Sequence, residues 1–488
     1  MKLTKNQIII LVIVLIIGAF LTYLPHLNYP YPLHVDEWAS INQARELTNP
    51  RYVSPTQTHT IFTLGFTAII MILEVFLNIV LIYKFLPIIT FIVSAIILFK
   101  FTHQLTKNYS VAIFSVIFLL SLPNNTNLLG SWFFVPFIAS IPLVFLTFFL
   151  YLKAYNKPNK KLTIYSIISL LALLLIYPPY AIFTFLILAI YTFLNKKTVS
   201  LKKIKKPLII FSSILTLLII LIMLVFSKSP YWILSQLYFP QGHSSLDPGI
   251  NTNAYELIFL NMRLLVNPYF LPILFGIIPF VLAIIGIYKS YKSNPKNILI
   301  IWFITSVAFI SLFLIFNFTF IMSYQRIVYM ALLALVPFTG IGASTILSYA
   351  KRYPNYIFLS LIILILIVTF YNYGKPIQGT EIYHLIDEQE YQEIIYLNQY
   401  DTSYIITDLE KSLPILVLTS HKPTAGFIGT NTTNQQETKD FLGGDCNFKE
   451  DYLKKKNYIK YIYTKRQINC DFIEKIGKNL YQTKLDSK

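Results

Sequence analysis

Acidic residues are scarce in this chain. Asp and Glu number 22 against 40 Lys and Arg in 488 residues, and only six fall in the first 375: Asp36, Glu37, Glu46, Glu74, Asp247 and Glu256. Charged residues make up 13% of the sequence and hydrophobic ones 55%, which excludes a disordered chain or an ordinary soluble domain and implies a polytopic membrane protein. The short motifs of soluble catalysis are missing as well: there is no Walker loop, GxGxxG, HExxH, CxxC or nucleophile elbow. The lysine-bearing segments between apolar runs are too short to form a nucleotide-binding domain. Any chemistry therefore belongs outside the cell or within the membrane.

The net charge of +18 is not a nucleic-acid signature. The cations cluster between apolar runs, at Lys153/Lys157/Lys160/Lys161, from Lys196 to Lys206, at Lys289/Lys292/Lys296 and at Lys351/Arg352, as cytoplasmic loops do. The run from Gln7 to Leu24 is too long for a removed signal peptide and lacks a small-residue cleavage site, so the N-terminus is expected inside and residues 25–60 outside. Further spans are expected at 85–103, 109–122, 132–152, 162–177, 180–195, 207–226, 270–288, 298–316, 327–347 and 356–373, giving eleven crossings and an external C-terminus. Residues 61–82, near the polar interruptions Glu74 and Lys84, read as a juxtamembrane or re-entrant helix. The expected architecture is a polytopic α-helical membrane bundle over 1–375, in the plasma or inner membrane.

The tail differs in character. Residues 376–488 hold sixteen acids and fourteen basic residues with no membrane-length run, and helix-like and strand-like pieces alternate, as in a small soluble α/β domain. Both cysteines of the chain, Cys446 and Cys470, lie here. An even count in an external domain suggests a disulfide, with two buried thiols as the alternative.

Candidate functional residues come from the outer segments, because acids retained by a membrane protein are functional candidates. Asp36 and Glu37 follow the proline-rich stretch Tyr29-Pro-Tyr-Pro and start a helix, where acids suit the helix dipole; the bland reading is an N-cap with solvated first-turn acids. His34 and Trp38 flank the pair. A second outer segment carries Asn124 and Asn125, and a long one at 227–269 carries Lys228, His243 and Asp247. Arg326 sits at the outer end of a late span, suited either to a lipid phosphate or to snorkelling toward headgroups. A divalent metal at Asp36 and Glu37 stays open, although hard cations want more ligands than two adjacent side chains supply.

Asp36-Glu37 in a proline-flanked outer loop after the first span resembles the C-type glycosyltransferase (GT-C) superfamily. Within it, the likeness is to protein O-mannosyltransferases, aminoarabinose transferases and bacterial RgtA/B/C/D-like transferases. The likeness extends to the order of the whole chain: a juxtamembrane helix, basic inner loops, a short second outer loop, a late arginine and an external α/β tail. It implies a polyprenyl-phosphate sugar as donor, transfer with inversion to an extracytoplasmic protein, lipid or glycan acceptor, and no obligatory cofactor. Asp36 would then be the general base and Glu37 its partner, orienting acceptor or metal. Arg326, with Lys228 or His243 as weaker candidates, would bind the donor phosphate. His34, Trp38, Asn124, Asn125 and Asp247 would line the acceptor groove. Many relatives carry another acid in the second outer loop. Here asparagines stand there, which disfavours a metal-dependent mechanism like that of oligosaccharyltransferases. Two readings of other classes compete: a secondary transporter, for which no internal repeat is visible and Glu74 is the one candidate inside an apolar stretch, and a non-catalytic envelope-assembly subunit.

Overall fold

The structure is a computed structural model and describes residues 4–48, 63–124, 128–195, 238–240, 271–316, 318–349, 383–426 and 432–484. The spans expected at 207–226 and 356–373 lie outside the described residues, as do Lys228, His243, Asp247 and Asn125.

Helix α1 (Lys5–Tyr23) opens with a capping box in which the Gln7 N–H donates to Thr4 Oγ1 at 3.4 Å and the Thr4 N–H to Gln7 Oε1 at 3.0 Å. Then come α2 (Val35–Thr48), α3 (Leu64–Phe76), the single turn α4 (Ile79–Ile82), α5 (Leu86–Thr106), α6 (Tyr109–Leu119), α7 (Pro136–Asn156), α8 (Lys160–Ile176) and α9 (Pro178–Leu194). The strand β1 (Tyr238–Pro240) pairs antiparallel with β2 (Phe318–Phe320). Between them run α10 (Leu271–Phe275), α11 (Ile277–Ser293) and α12 (Ile298–Phe316), and α13 (Tyr324–Tyr349) follows. Among the described residues five helices are long and apolar enough to cross a membrane: Lys5–His26, Ile79–Thr106, Pro136–Asn156, Ile298–Phe316 and Tyr324–Tyr349. The chain is an integral membrane protein.

Helix α13 is the hub. It packs against α6, α11 and α12, while α5 joins α1, α6 and α7, and α8 bridges α7 and α9. The α11–α13 contact is close because a Cβ on Gly286 would overlap the Phe338 carbonyl, and one on Gly342 the Leu282 carbonyl. Such small-residue contacts let backbones approach where lipid offers no hydrophobic drive.

Several boundaries differ from the sequence expectation. Residues 61–82 divide at Leu77, which is extended (φ −142°, ψ 150°). Only Leu64–Phe76 forms the separate helix, and a 28-residue apolar unit starts at Ile79 rather than at 85. Residues 270–288 break at Gly276, whose φ of 91° suits glycine alone. Helix α6 has only 11 residues.

The tail holds α14 (Glu388–Tyr396), β3 (Tyr404–Thr407), α15 (Ser412–Leu418), β4 (Lys422–Pro423), α16 (Thr432–Gly443), α17 (Cys446–Lys455), β5 (Ile459–Tyr463), β6 (Ile473–Lys475) and β7 (Leu480–Thr483). Its mixed sheet has the order β4-β3-β5-β7-β6, with β3 parallel to β4 and β5 and the remaining pairs antiparallel. A disulfide joins Cys446 and Cys470 across a Cα separation of 5.6 Å.

Candidate active site

The first loop is fastened to the tail before it reaches α2. The Tyr31 hydroxyl donates to Glu388 Oε2 at 2.5 Å, Tyr29 stacks on His384 at 4.1 Å, and the His384 N–H donates to the Leu33 carbonyl at 3.0 Å. His34 and Tyr383 form an antiparallel bridge. This strap brings together residues 357 apart in the chain, and α2 then packs between α3 and α15.

His34 caps α2. Its Nδ1 accepts the Asp36 N–H at 3.1 Å, the position usually filled by a Ser, Thr, Asp or Asn oxygen. An accepting Nδ1 leaves the proton on Nε2, and that Nε2 is buried with no hydrogen-bond partner among the described residues, as is the Tyr383 hydroxyl. Burial holds the imidazole below its usual range, so the neutral form the cap requires is favoured.

Glu37 turns the other way. It is 0% exposed; its Oε2 accepts the Leu33 and His34 N–H groups at 2.7 and 3.1 Å, and its Oε1 accepts the Phe134 N–H at 2.7 Å. The contact to His34 is the acidic half of a capping box, and the contact to Phe134 fixes the segment leading into α7 against the first loop. Burial pushes this carboxyl up to about 8 although the three N–H groups pull it down. Expected as a partner to Asp36, Glu37 has both oxygens committed to backbone.

Asp36 is the member of the pair left open, its side chain 43% exposed and its Oδ2 3.7 Å from His34 Nδ1. Tyr383 lies close enough to feel both carboxylates and is raised by burial first and by them second. The charge of Arg326 reaches His34, which puts the start of α13 in the same neighbourhood. Arg326 is held flat, its guanidinium 3.5 Å from the Phe137 ring centroid and its Nη1 donating to the Leu128 carbonyl at 3.2 Å. No ion pair to it occurs among the described residues. Just before it, Ile321 has a φ of 78°, a costly conformation for a β-branched residue.

The other expected groove residues are less open. Trp38 is fully buried and donates from Nε1 to the Pro32 carbonyl at 3.2 Å, so it supports the loop rather than lining a groove. Asn124 Oδ1 accepts the Trp132 N–H at 3.1 Å and so shapes the second loop. Glu74 pairs with Arg45 at 2.5 Å, tying α3 to α2. Tyr383 and Phe137 were not marked by the sequence, because nothing local identifies a tail tyrosine or a helix phenylalanine as a neighbour of the first loop.

The described donor set does not assemble a divalent-metal site. Glu37 and His34 Nδ1 are taken by backbone N–H groups, and no cluster of three His, Cys, Asp or Glu occurs among the described residues. Asp36 alone offers fewer oxygens than such a cation takes.

The helical membrane bundle followed by a small sheet domain has a GT-C fold. Among solved structures it is similar to the oligosaccharyltransferase of Archaeoglobus fulgidus in complex with zinc and sulfate, with a TM-score of 0.61 over 93% of this chain and 67% of that chain at 13% identity. The same protein tethered to an acceptor peptide containing the NVT sequon gives 0.60 over 94% and 69% at 13% identity. In complex with an inhibitory peptide and a dolichol-phosphate it gives 0.54 over 94% and 69% at 12% identity. No family model and no curated protein matches the sequence.

Proposed function

We propose that the protein is a membrane glycosyltransferase that moves a sugar from a polyprenyl-phosphate-linked donor to an extracytoplasmic acceptor with inversion. The observation that carries this reading is the division of labour within one dipeptide on a GT-C fold. Glu37 is sealed by three backbone donors, while Asp36 stays open next to His34, whose electrostatics feel Arg326, an arginine that has no acidic partner among the described residues. The neighbour's complex with a dolichol-phosphate supports a lipid-linked donor, and its tethered peptide supports a protein among the acceptor classes; lipid and glycan acceptors fit the same chemistry.

In this mechanism Asp36 takes the proton of the acceptor nucleophile as its heteroatom attacks C1 of the sugar. The C1–O bond to the carrier phosphate breaks, its electron pair stays on the phosphate oxygen, and attack from the opposite face inverts C1. Arg326, held flat by Phe137, offers N–H donors to the phosphate as charge builds on it. His34 keeps Asp36 at the helix start. Asp36 and the tail both face outward in this reading, with the lysine-rich loops inside. The pairing of Glu74 with Arg45 weakens the transporter alternative, which needs an uncommitted acid in the membrane.

The test is transfer of radiolabelled sugar from polyprenyl-phosphate donors by purified protein in lipid, with and without a chelator. Asp36→Asn keeps the side chain's shape and removes its basicity, so transfer should fall about 10²–10⁴-fold with donor binding retained. A variant as active as the wild type makes Asp36 a helix-start residue only.

A further inference from the structure

A second polar site lies at the far end of the bundle. There the α6 residue Tyr109 donates from its hydroxyl to the Gln7 carbonyl of α1 at 2.7 Å, a full helix length from the Tyr23–Phe85 stack that marks the Asp36 end. Between α1, α5 and α7 a cleft of about 890 Å³ opens, and five cationic or titratable side chains line it: Lys100, His103, Lys107, Lys153 and Lys157. Gln104 and Asn156 add polar groups, and one wall is apolar, from Leu11, Ile96, Phe99 and Phe149.

The four lysines of this cleft make no ion pair among the described residues. The sequence contains no Asp or Glu between Glu74 and Asp247, nor between Glu256 and Glu381. The segments joining the described helices at this end therefore carry no acid to pair with these lysines, which leaves them open to an anion from outside the chain. Lys107 adds a local detail: it ends α5 with a φ of 55°, a conformation that favours glycine or asparagine, so a cation is kept there at some conformational cost.

We propose that this cleft binds the phosphate headgroup of an anionic diacyl phospholipid, with an acyl chain along the apolar wall. Free phosphate has no use for such a wall, whereas basic pockets between membrane helices suit anionic headgroups. Helix α1, whose Leu11 lines the cleft, exposes Ile8, Val12 and Ile16, an apolar surface suited to lipid. With the Asp36 end outward, this lipid belongs to the cytoplasmic leaflet. The inference does not depend on the transferase reading.

The experiment uses the full-length chain in phosphatidylcholine nanodiscs titrated with phosphatidylglycerol, read by native mass spectrometry. Wild type should retain phosphatidylglycerol, and Lys100→Gln/Lys153→Gln/Lys157→Gln should bind it about tenfold more weakly or worse. Lys160→Gln/Lys161→Gln/Lys292→Gln removes the same charge outside the cleft and should bind as wild type does. Leu11→Trp fills the cleft at constant charge and should also expel the lipid. Equal weakening in both triple variants, or in neither, would mean diffuse surface attraction and overturn the proposal. So would displacement of the lipid by millimolar inorganic phosphate, which would make this a free-anion site.

Discussion

At the scale of residues, His34 and Glu37 share one helix cap and titrate in opposite senses. Glu37 is raised from 4.5 to about 8, so the folded chain keeps a proton that the unfolded chain releases. Its contribution to stability is complete below about 4.5 and is lost as the pH rises through about 8. His34 is lowered from 6.5, so its contribution is complete above 6.5 and is lost as the pH falls. Below 6.5 the two offset one another. His34→Asn keeps a capping oxygen and removes the imidazole; its melting temperature should fall steadily from about pH 5 to 8 as Glu37 alone titrates, while the wild-type curve is flatter on the acid side. Superimposable profiles would sink this account. Glu37→Ala strips partners from the Leu33, His34 and Phe134 N–H groups, at about 1–3 kcal/mol for each buried donor left unpaired. It should lower the melting temperature and the yield of folded protein far more than Glu37→Gln, which keeps one acceptor oxygen.

Which of two adjacent acids turns inward could not be read from the dipeptide. The choice is made by the Phe134 N–H, 97 residues away in the chain. What the sequence marks is the pair, because it stands in an expected outer loop of a 375-residue stretch that holds only six acids. The commitment of Glu37 and the burial of Trp38 were not legible, since both depend on how a proline-rich loop folds onto a distant segment.

At the scale of elements, uninterrupted apolar runs were the most legible: the span 298–316 coincides with α12. The break at Leu77 was not, because an extended leucine in an apolar run leaves no signature in composition. Two predictions belong here. Gly286→Ala places a methyl against the Phe338 carbonyl and should cost about 1–3 kcal/mol as α11 and α13 are forced apart, seen as a lower melting temperature in detergent. In the tail, the disulfide closes a loop with a sequence separation of 24. Cys446→Ser/Cys470→Ser should destabilise the tail by about 3 kcal/mol in the chain-entropy model, measured on the full chain as faster amide exchange in β5 and β7. Unchanged exchange would show that the sheet core holds without the cross-link.

At the scale of the whole molecule, the strap makes the bundle and tail one functional body. A chain truncated after residue 375 loses Tyr383, His384 and Glu388. Its helices should still insert, but amide exchange over residues 29–38 should rise and sugar transfer should fall with it. Retained protection there would show that the first loop folds without the tail.

The strap also imposes an order in time. Tyr31 emerges from the ribosome 357 residues ahead of Glu388, roughly half a minute at ordinary synthesis rates. Throughout that interval the membrane helices can be in place while the loop bearing Asp36 still awaits its last fastening. The loop bearing Asp36 therefore gains its fastening only after the segment from Tyr383 to Glu388 has been made.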